Sequence, residues 1–486
     1  MRVSTPVMDI YVHRMVTNGG REMRRTPTCV LIMGLLLSAS MALTGMIANA
    51  SSAEKTMDDE SGTWTVFVYL DGDNNLEDLA IDDLLEMEAV GSTDDVTIIV
   101  LLDTWSLIEG THWLVIEEGV SHYDSETGEL ACDCGLFPVK SCPGEVDMGD
   151  GNKLTWAVVT AFTYAPADYY MLVLWDHGGG WRGVCYDDST ILPCGWVSRL
   201  TTPETAASLA AAQIELRMGV DDDYKLTILG YDACLNAMIE VIYENRDIAH
   251  YMFASINLVP GPGMGYEGFL TVMTQTPSPT IKEIGIAVVD SYVECYENLV
   301  SETGQGLEYF GDTTLSFIRL GEPVTDLVNS IDALAKELFE GGYLEDSRYR
   351  GAIESAESQT PRIPTYEGEH LPFVDLGLYA DLLGQKIPKL SALTDAIEDG
   401  VDEVVVYENH VTSAGGAVLR TTGISIYFTC SYYWINPAYW FEDVVDAELY
   451  GENTLYYGMA FTVDTWWDEM VFTFTQAYDE SVLDFE

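Results

Sequence analysis

The sequence predicts an α/β fold in which a mostly parallel central sheet is covered by helices on both faces. Two continuous apolar runs, YYMLVLW (Tyr169–Trp175) and KLTILGY (Lys225–Tyr231), are typical of strands that are buried on both faces. Between such runs, apolar residues recur at helical spacing, as they do in Asn75–Val90. Strands that alternate with helices indicate a parallel sheet, whose functional residues gather at the carboxyl ends of the strands.

The individual elements follow from the same two patterns, taken in chain order. Strands are predicted where short apolar runs stand between turn residues, and helices where apolar residues recur every three or four positions. Pro203 is compatible with a helix because it occupies the first turn. The predicted strands are Thr63–Leu70, Asp95–Leu102, His112–Glu117, Tyr169–Trp175, Lys225–Tyr231, His250–Ile256, Leu315–Leu320 and Gly423–Thr429. The predicted helices are Asn75–Val90, Leu154–Tyr164, Pro203–Arg217, Cys234–Glu244, Val324–Leu338 and Phe373–Leu383.

The second half of the chain is less regular than the first. The segment Glu345–His370 is charged and carries Pro361 and Pro364, so it is predicted to be a loop or linker. The predicted organisation is a leader at 1–50, a linker at 51–62, an α/β core at 63–300 and an α+β region at 301–486 that packs on the core.

The 486-residue chain is strongly acidic, with 79 Asp and Glu against 22 Lys and Arg and a formal net charge of −57. Binding to nucleic acid requires clustered basic residues, so this balance excludes an ordinary nucleic-acid partner. It also argues against electrostatic docking on an anionic membrane. Hydrophobic residues make up 48% of the chain, which is enough to bury a large core.

The first fifty residues have the features of a secretory signal peptide. Arg21, Arg24 and Arg25 precede an apolar run that begins at Cys29, and Ala48-Asn49-Ala50 offers a cleavage site of small residues. An uncleaved membrane anchor is the alternative. No later stretch of sequence is long and apolar enough to span a bilayer. We therefore expect an exported protein with no membrane span in the mature chain.

The nine cysteines include two groups that each crowd one loop. In an exported protein such groups are disulfide candidates, and the preferred pairs are Cys134–Cys142 and Cys185–Cys194. A zinc site is the competing interpretation, but no histidine stands at a suitable spacing near either group.

Two of the predicted strands each deliver one reactive side chain at the carboxyl end. YYMLVLW is followed by Asp176-His177-Gly178, and KLTILGY is followed by Asp232-Ala233-Cys234. Taken singly, a cysteine or histidine at a strand end is more often structural, but a thiol and an imidazole on one edge suit acyl transfer. Cys234 is also predicted to begin a helix, whose dipole would lower the pKa of the thiol. The backbone N–H groups of Gly178 and Cys234 are candidates for stabilising an oxyanion.

With these residues in view, the sequence resembles the caspase-like cysteine peptidases, which include gingipains, legumain and clostripain. It is most similar to the clostripain family, through the segments Trp64–Glu77, Tyr169–Asp188 and Leu226–Glu240. The resemblance covers most of the chain after residue 62. It implies a caspase-like three-layer sandwich, and an endopeptidase whose catalytic dyad is His177 and Cys234 without a third member.

The resemblance also bears on specificity, because relatives cut after Arg or Lys and line the first specificity pocket with acidic residues. Asp232 matches one such position, and its carboxylate would pair with a basic side chain. The alternative is that Asp232 caps the following helix. Relatives usually carry an acidic run before a Pro-Gly turn, whereas this chain has Ala254–Gly261 without an acid and reaches its next acid at Glu267. The predicted pocket is therefore altered.

Relatives can mature by cutting themselves at a basic residue between the two members of the dyad. This interval contains Arg182, Arg199, Arg217 and Lys225. Arg199 is the preferred candidate for autocleavage because it is predicted to lie in a polar loop before the next helix.

The chemistry of the dyad requires no cofactor, but some relatives need calcium. Asp71 and Asp73 at the end of the first strand are candidate ligands, and Asp187 and Asp188 after the histidine loop are two more. The alternative, which is favoured for the first pair, is that these residues together with Asn74 cap the helix that follows.

The predicted function is that of an exported cysteine endopeptidase acting on peptides or proteins, with Cys234 as nucleophile and His177 as acid–base. A catalytically silent exported binding or cell-surface protein that keeps the fold is the alternative. A third interpretation is transpeptidation by the same two residues.

Overall fold

The computed structural model of the protein describes residues 62–108, 110–124, 127–137, 144–192, 197–221, 223–303, 313–364, 370–411, 420–428 and 455–474. The predicted signal peptide lies outside these residues, as does the predicted linker apart from Gly62. Within the described part of the chain, no helix combines the length and apolarity that crossing a membrane requires.

Fifteen strands occur in the described residues, and eight of them form one central sheet. In chain order the strands are β1 Trp64–Gly72, β2 Val96–Thr104, β3 His112–Val115, β4 Tyr123–Asp124, β5 Glu129–Leu130, β6 Tyr169–Trp175, β7 Val184–Ile191, β8 Val197–Leu200, β9 Leu226–Asp232, β10 Ala249–Ala254, β11 Thr313–Arg319, β12 Arg362–Pro364, β13 His370–Asp375, β14 Val405–Val411 and β15 Ser425–Tyr427. The central sheet has the order β14-β11-β10-β9-β6-β1-β2-β3. Its five middle strands, from β10 to β2, are parallel, and antiparallel strands lie at both edges. The predicted mostly parallel sheet is thereby confirmed.

The helices of the described residues alternate with these strands through the first half of the chain and dominate the second. They are α1 Glu77–Val90, α2 Gly151–Tyr164, α3 Thr202–Gly219, α4 Ile239–Glu244, α5 Tyr266–Gln275, α6 Ile281–Thr303, α7 Glu322–Glu340, α8 Ser347–Gln359, α9 Leu376–Lys386, α10 Ser391–Val404, α11 Leu455–Gly458 and α12 Ala460–Asp464. Residues 467–474 are also helical.

Helices cover both faces of the central sheet. Phe67 and Tyr69 of β1 belong to a large core to which α2, α3 and α4 contribute. The alternate residues Val66 and Val68 are equally buried and point to the opposite face, where α1, α5 and α6 pack. This three-layer arrangement explains why β6 is buried along its whole length and why its sequence is continuously apolar.

The C-terminal region completes the central sheet, because β11 and β14 both belong to it. The predicted boundary between residues 300 and 301 falls within α6, ahead of these two strands. The small sheet β12-β13-β15 adjoins the candidate site, where the backbone N–H of Ser425 donates to the carbonyl of Ala237 at 2.9 Å.

Two predictions for the second half are wrong. The segment predicted as a loop between Glu345 and His370 contains α8, which Asp346 caps by accepting from the N–H of Arg348. Pro361 and Pro364 follow the last residue of the helix, so they limit where the helix ends but do not prevent it from forming. The predicted helix Phe373–Leu383 begins instead as strand β13 and becomes α9 only at Leu376.

One of the two predicted disulfides is wrong, and the partner predicted for the other lies outside the described residues. Cys134 is disulfide-bonded, and Cys142, its predicted partner, lies outside the described residues. Cys185 is not disulfide-bonded, and the predicted pair with Cys194 is wrong; its side chain is fully buried in the hydrophobic core. The fold also brings His112 close to Cys132 and Cys134, although a disulfide sulfur is not a zinc ligand.

Candidate active site

The two predicted catalytic residues lie side by side at the carboxyl edge of the sheet. β6 and β9 are adjacent and parallel, and Trp175 is in register with Asp232. His177 lies two residues after Trp175, and Cys234 lies two residues after Asp232. His177 and Cys234 therefore stand at the same height in the sheet, just beyond the ends of the two strands. The N–H of Asp176 continues the pairing by donating to the carbonyl of Asp232 at 3.2 Å.

Gly178 lets the two strand ends approach closely. A Cβ atom on this residue would lie 2.3 Å from the carbonyl oxygen of Cys234 and 2.6 Å from its nitrogen. Any side chain would therefore push the His177 segment away from Cys234. The N–H of Gly178 is directed at the Cys234 sulfur and favours its thiolate, and Val259 N–H donates to the same sulfur at 3.2 Å.

The thiol of Cys234 is neutral at pH 7, contrary to the prediction. Its surroundings exclude enough water to raise the pKa to about 11. The predicted helix does not begin at Cys234, because α4 begins at Ile239 and its dipole is too distant to act. Between them lies a turn in which Leu235 has a φ of 69° and donates its N–H to the carbonyl of Asn257.

The imidazole of His177 is oriented by Asn75, a residue that the sequence did not single out. Nε2 of His177 donates to Oδ1 of Asn75 at 2.9 Å. Since an amide oxygen only accepts, Nε2 carries the proton and Nδ1 is the basic nitrogen. Burial lowers the pKa of His177, while the nearby Asp188 opposes this shift. Both members of the dyad are therefore uncharged near neutral pH.

Asp176 fixes the loops on either side of the dyad. Its carboxylate accepts from the side-chain amide of Asn74 at 2.6 Å and from the N–H of Tyr186. It therefore ties the segment after β1, which carries Asn75, to the segment after β6, which carries His177.

Asp232 is fully buried and does not cap a helix, so the capping alternative is wrong. Its Oδ2 accepts from the N–H of Met264 and from the hydroxyl of Tyr266, both at 3.1 Å. Burial raises the pKa of this carboxyl to about 7.

A second buried carboxylate stands beside Asp232, although the sequence predicted only one. Asp83 of α1 accepts from the indole N–H of Trp175 at 2.5 Å. Burial raises the pKa of Asp83 well above its usual value, and the nearby charge of Asp232 raises it further. A Cβ atom on Gly263 would lie 3.0 Å from Oδ2 of each of the two aspartates. Asp83 thus brings a second carboxylate next to Asp232 from a helix that precedes β9 by a long stretch of chain.

Arg199 lies in strand β8 and not in the predicted loop. Its guanidinium carbon stands 5.8 Å from the centre of the Tyr186 ring, and its Nε donates to the carbonyl of Arg182 at 3.4 Å. The strand pairs with β7, so the backbone at this position is held in a hairpin.

The four predicted cation ligands separate into two groups. Asp73 and Asp187 lie together with two carboxylates that the sequence did not single out, Asp103 and Glu145. Asp188 is exposed and acts on His177 instead. Asp71 is buried and its Oδ1 accepts from the N–H of Asp73 at 3.3 Å. The favoured capping alternative is wrong, because the helix begins after Leu76 and no side chain caps it. Asn74 instead stabilises the preceding turn, where its Oδ1 accepts from the N–H of Leu76 at 2.9 Å.

Comparison with known sequences agrees with this fold. A sequence model of the Clostripain family matches residues 68–473 of the chain. Over 224 residues the chain is 27% identical to clostripain from Hathewaya histolytica, a match that covers 42% of this chain and 40% of that protein. The chain therefore matches less than half of the length of this relative.

Two solved structures have the same fold. A secreted C11 cysteine protease from Bacteroides thetaiotaomicron, in complex with an irreversible peptide inhibitor, gives a TM-score of 0.52 at 18% identity over 84% of this chain and 99% of that one. An inactive zymogen C11 protease from Parabacteroides distasonis gives a TM-score of 0.52 at 16% identity over 79% of this chain and 99% of that one. At these identities the likeness establishes the fold alone.

Proposed function

Because the chain belongs to the clostripain family, we propose that it is an exported cysteine endopeptidase that hydrolyses peptide bonds with His177 and Cys234. The observation that carries the proposal is the position of the two residues. Each follows one of two adjacent parallel strands at the same height in the sheet, and Gly178 brings the backbone next to His177 close to that of Cys234. The sequence pattern at the two strand ends supports the same pair.

The geometry supports a mechanism that starts from a neutral thiol and a neutral imidazole. Nδ1 of His177 takes the thiol proton as the sulfur attacks the substrate carbonyl. The N–H groups of Gly178 and Cys234 stabilise the oxyanion that develops. The imidazolium then protonates the leaving amine, and water hydrolyses the thioester. Asn75 keeps the ring in the required tautomer throughout, in the role of a positioning residue.

A covalent probe tests this function against the catalytically silent alternative. A peptide carrying a thiol-directed electrophile should label Cys234 at pH 7, because substrate binding brings His177 to act on the sulfur. Iodoacetamide, which gains nothing from substrate binding, should react slowly and about tenfold faster per pH unit from pH 7 to 10, as expected for a thiol with a pKa of about 11. Mass spectrometry of the tryptic peptide measures both reactions. Absence of peptide labelling at every pH would support the silent binder, and added amine acceptors would reveal transpeptidation.

The substrate preference that the site supports is a basic residue before the scissile bond. Asp232, two residues before the nucleophile, and Asp83 form a pair of neighbouring buried carboxylates, and a guanidinium or ammonium group would neutralise them. The single-carboxylate pocket predicted from the sequence is thus reinforced by α1.

Asp83→Asn is expected to lower kcat/KM by ~10- to 100-fold for substrates with Arg before the scissile bond. For substrates with a neutral residue at that position, kcat/KM should fall far less. Asp232→Asn should act in the same direction. The neighbouring Asp82, which is exposed on the same helix, supplies the matched control as Asp82→Asn. Fluorogenic peptides that differ only at the cleaved residue provide the measurement. Equal losses on basic and neutral substrates would show that Asp83 supports the fold and not the specificity.

Export and maturation complete the proposal. Residues 1–50 are proposed to be removed as a signal peptide, and autocleavage is proposed at Arg199. Because Arg199 is paired in the β7–β8 hairpin, cleavage there requires the hairpin to open. Of the two similar structures, one is of a secreted protease and the other is of an inactive zymogen.

A further inference from the structure

An exposed tryptophan lies on the turn that follows β2, at the same edge of the sheet as the candidate site. Trp105 is 57% exposed, although tryptophan side chains are on average highly buried. The same turn carries Leu107 and Ile108, which are both half-buried. We call residues 104–108 the tryptophan turn. Apolar surface that is exposed beside an active site is a candidate contact for a ligand.

The register of the sheet fixes the distance between the tryptophan turn and the dyad. Trp175 of β6 pairs with Leu70 of β1, and Leu70 pairs with Leu102 of β2. Two residues further on, His177 stands at the height of the last residue of β2, two strands away, and Trp105 follows that residue. Adjacent strands are spaced by about 4.8 Å, so the turn begins about 10 Å from His177.

Hydrogen bonds to Glu77 hold the tryptophan turn in place. The carboxylate of Glu77 accepts from the N–H and the hydroxyl of Ser106, both at 2.7 Å, and from the N–H of Leu107 at 3.1 Å. Glu77 begins α1, two residues after Asn75, whose Oδ1 accepts from Nε2 of His177. One short segment of chain therefore supports both the imidazole and the turn, and the turn is preorganised for contact with a ligand.

The chemistry of the dyad decides which part of a substrate reaches this turn. The acyl half is attached to Cys234, and the proposed pocket for its last residue includes Asp232 and Gly263, which follow or end β9 and β10. The leaving nitrogen takes its proton from His177, which follows β6, and β6 lies between β9 and β1. The leaving peptide therefore extends away from Cys234, across the end of β1 and toward β2.

We propose that the tryptophan turn binds the third residue after the scissile bond and favours a large apolar or aromatic side chain there. An extended peptide advances about 3.3 to 3.6 Å per residue, so three residues span the distance from His177 to the turn. The inference rests on the proposed peptidase function and adds a second determinant of specificity, on the leaving side of the substrate.

The chemistry of the turn favours an apolar partner over a charged one. The carboxylate of Glu77 is already occupied by three hydrogen bonds from the turn, so the turn offers apolar contact to a ligand. Asp188 is exposed, and its charge acts on His177. A negative side chain on the same path would be repelled by this charge.

Internally quenched peptides test the proposal, with Arg before the scissile bond and Phe, Ala or Asp as the third residue after it. The wild-type kcat/KM should be ~5- to 20-fold higher with Phe than with Ala, and lowest with Asp. Trp105→Ala should bring the ratio of Phe to Ala close to one, whereas Trp105→Phe should retain most of it. Because the readout is a ratio, a variant that is less active overall still reports on the turn.

Met218→Ala is the matched control. Met218 is 78% exposed on α3, whose C-terminal end leads to the start of β9, at the opposite edge of the sheet from the dyad. This variant should keep the wild-type ratio of Phe to Ala. A wild-type ratio near one would overturn the proposal, and so would an equal fall of the ratio in Met218→Ala and Trp105→Ala.

Binding separates this inference from the proposed peptidase function. Cys234→Ala should bind the uncut peptides, and calorimetry should give a dissociation constant ~5- to 20-fold lower with Phe than with Ala. Adding Trp105→Ala to this variant should abolish the difference. If the wild-type chain cleaves none of the peptides, the peptidase proposal fails, and the binding preference still decides the role of the turn. If the chain cleaves them and neither rate nor binding depends on the third residue, the turn is not a binding site.

Discussion

Replacing Cys234 with alanine is expected to abolish peptide hydrolysis while leaving the fold in place. The sulfur is the only group at the candidate site that can form the covalent intermediate, so its removal should lower kcat by ~10⁴-fold or more. Folding should be little affected, because the sulfur contacts only backbone groups, those of Val259 at 3.2 and 3.7 Å and the N–H of Gly178. Initial rates on a fluorogenic peptide and a thermal melt of the same sample measure both effects.

Cys132→Ala provides the control for this substitution. Cys132 is exposed and is separate from the strand ends that form the candidate site, so its variant should cleave at the wild-type rate. Full activity in Cys234→Ala would refute the assignment of the nucleophile. A large fall in its melting temperature would instead mean that the loss of activity is structural.

The strands of the central sheet could be predicted because each one has a recognisable pattern in its own short stretch of sequence. A strand buried on both faces must be apolar throughout, and β6 and β9 therefore stand out without knowledge of the fold. The failures occur where tertiary contacts override local pattern. The residues after Cys234 have a helical pattern, yet Leu235 and Ala237 donate their N–H groups to carbonyls beyond β10, which holds them in a turn until Ile239.

The site was predictable only in part, for a related reason. His177 and Cys234 follow conspicuous strands, and parallel pairing places the ends of adjacent strands together. Asn75 and Asp83 occupy ordinary polar positions on or before α1, and nothing in the local sequence connects them with residues far along the chain. The same is true of Asp103 and Glu145, whose proximity to Asp73 depends on the register between β1 and β2 and on the path of the later loop.

Replacing His177 with alanine is expected to lower kcat by ~10³- to 10⁴-fold, because no other group at the site can take the thiol proton. Asn75→Ala should have a smaller effect of ~10-fold on kcat with little change in KM, since the imidazole remains but is no longer held in one tautomer. Because burial lowers the pKa of His177, the fall of wild-type kcat/KM on the acidic side should occur at a lower pH than an ordinary histidine would give. Activity is then retained as the pH falls, until the ring is protonated at a pH lower than for a free imidazole.

The two variants together separate catalysis from positioning. If His177 is the base, adding imidazole to His177→Ala should restore part of the rate, whereas it should not help Asn75→Ala, in which the ring is already present. A merely structural role for Asn75 would lower the melting temperature and raise KM without the selective loss of kcat. Wild-type rates in His177→Ala would mean that a group other than His177 accepts the thiol proton. At the end of β6, the strand that pairs with β9 in this register, His177 is the residue level with Cys234.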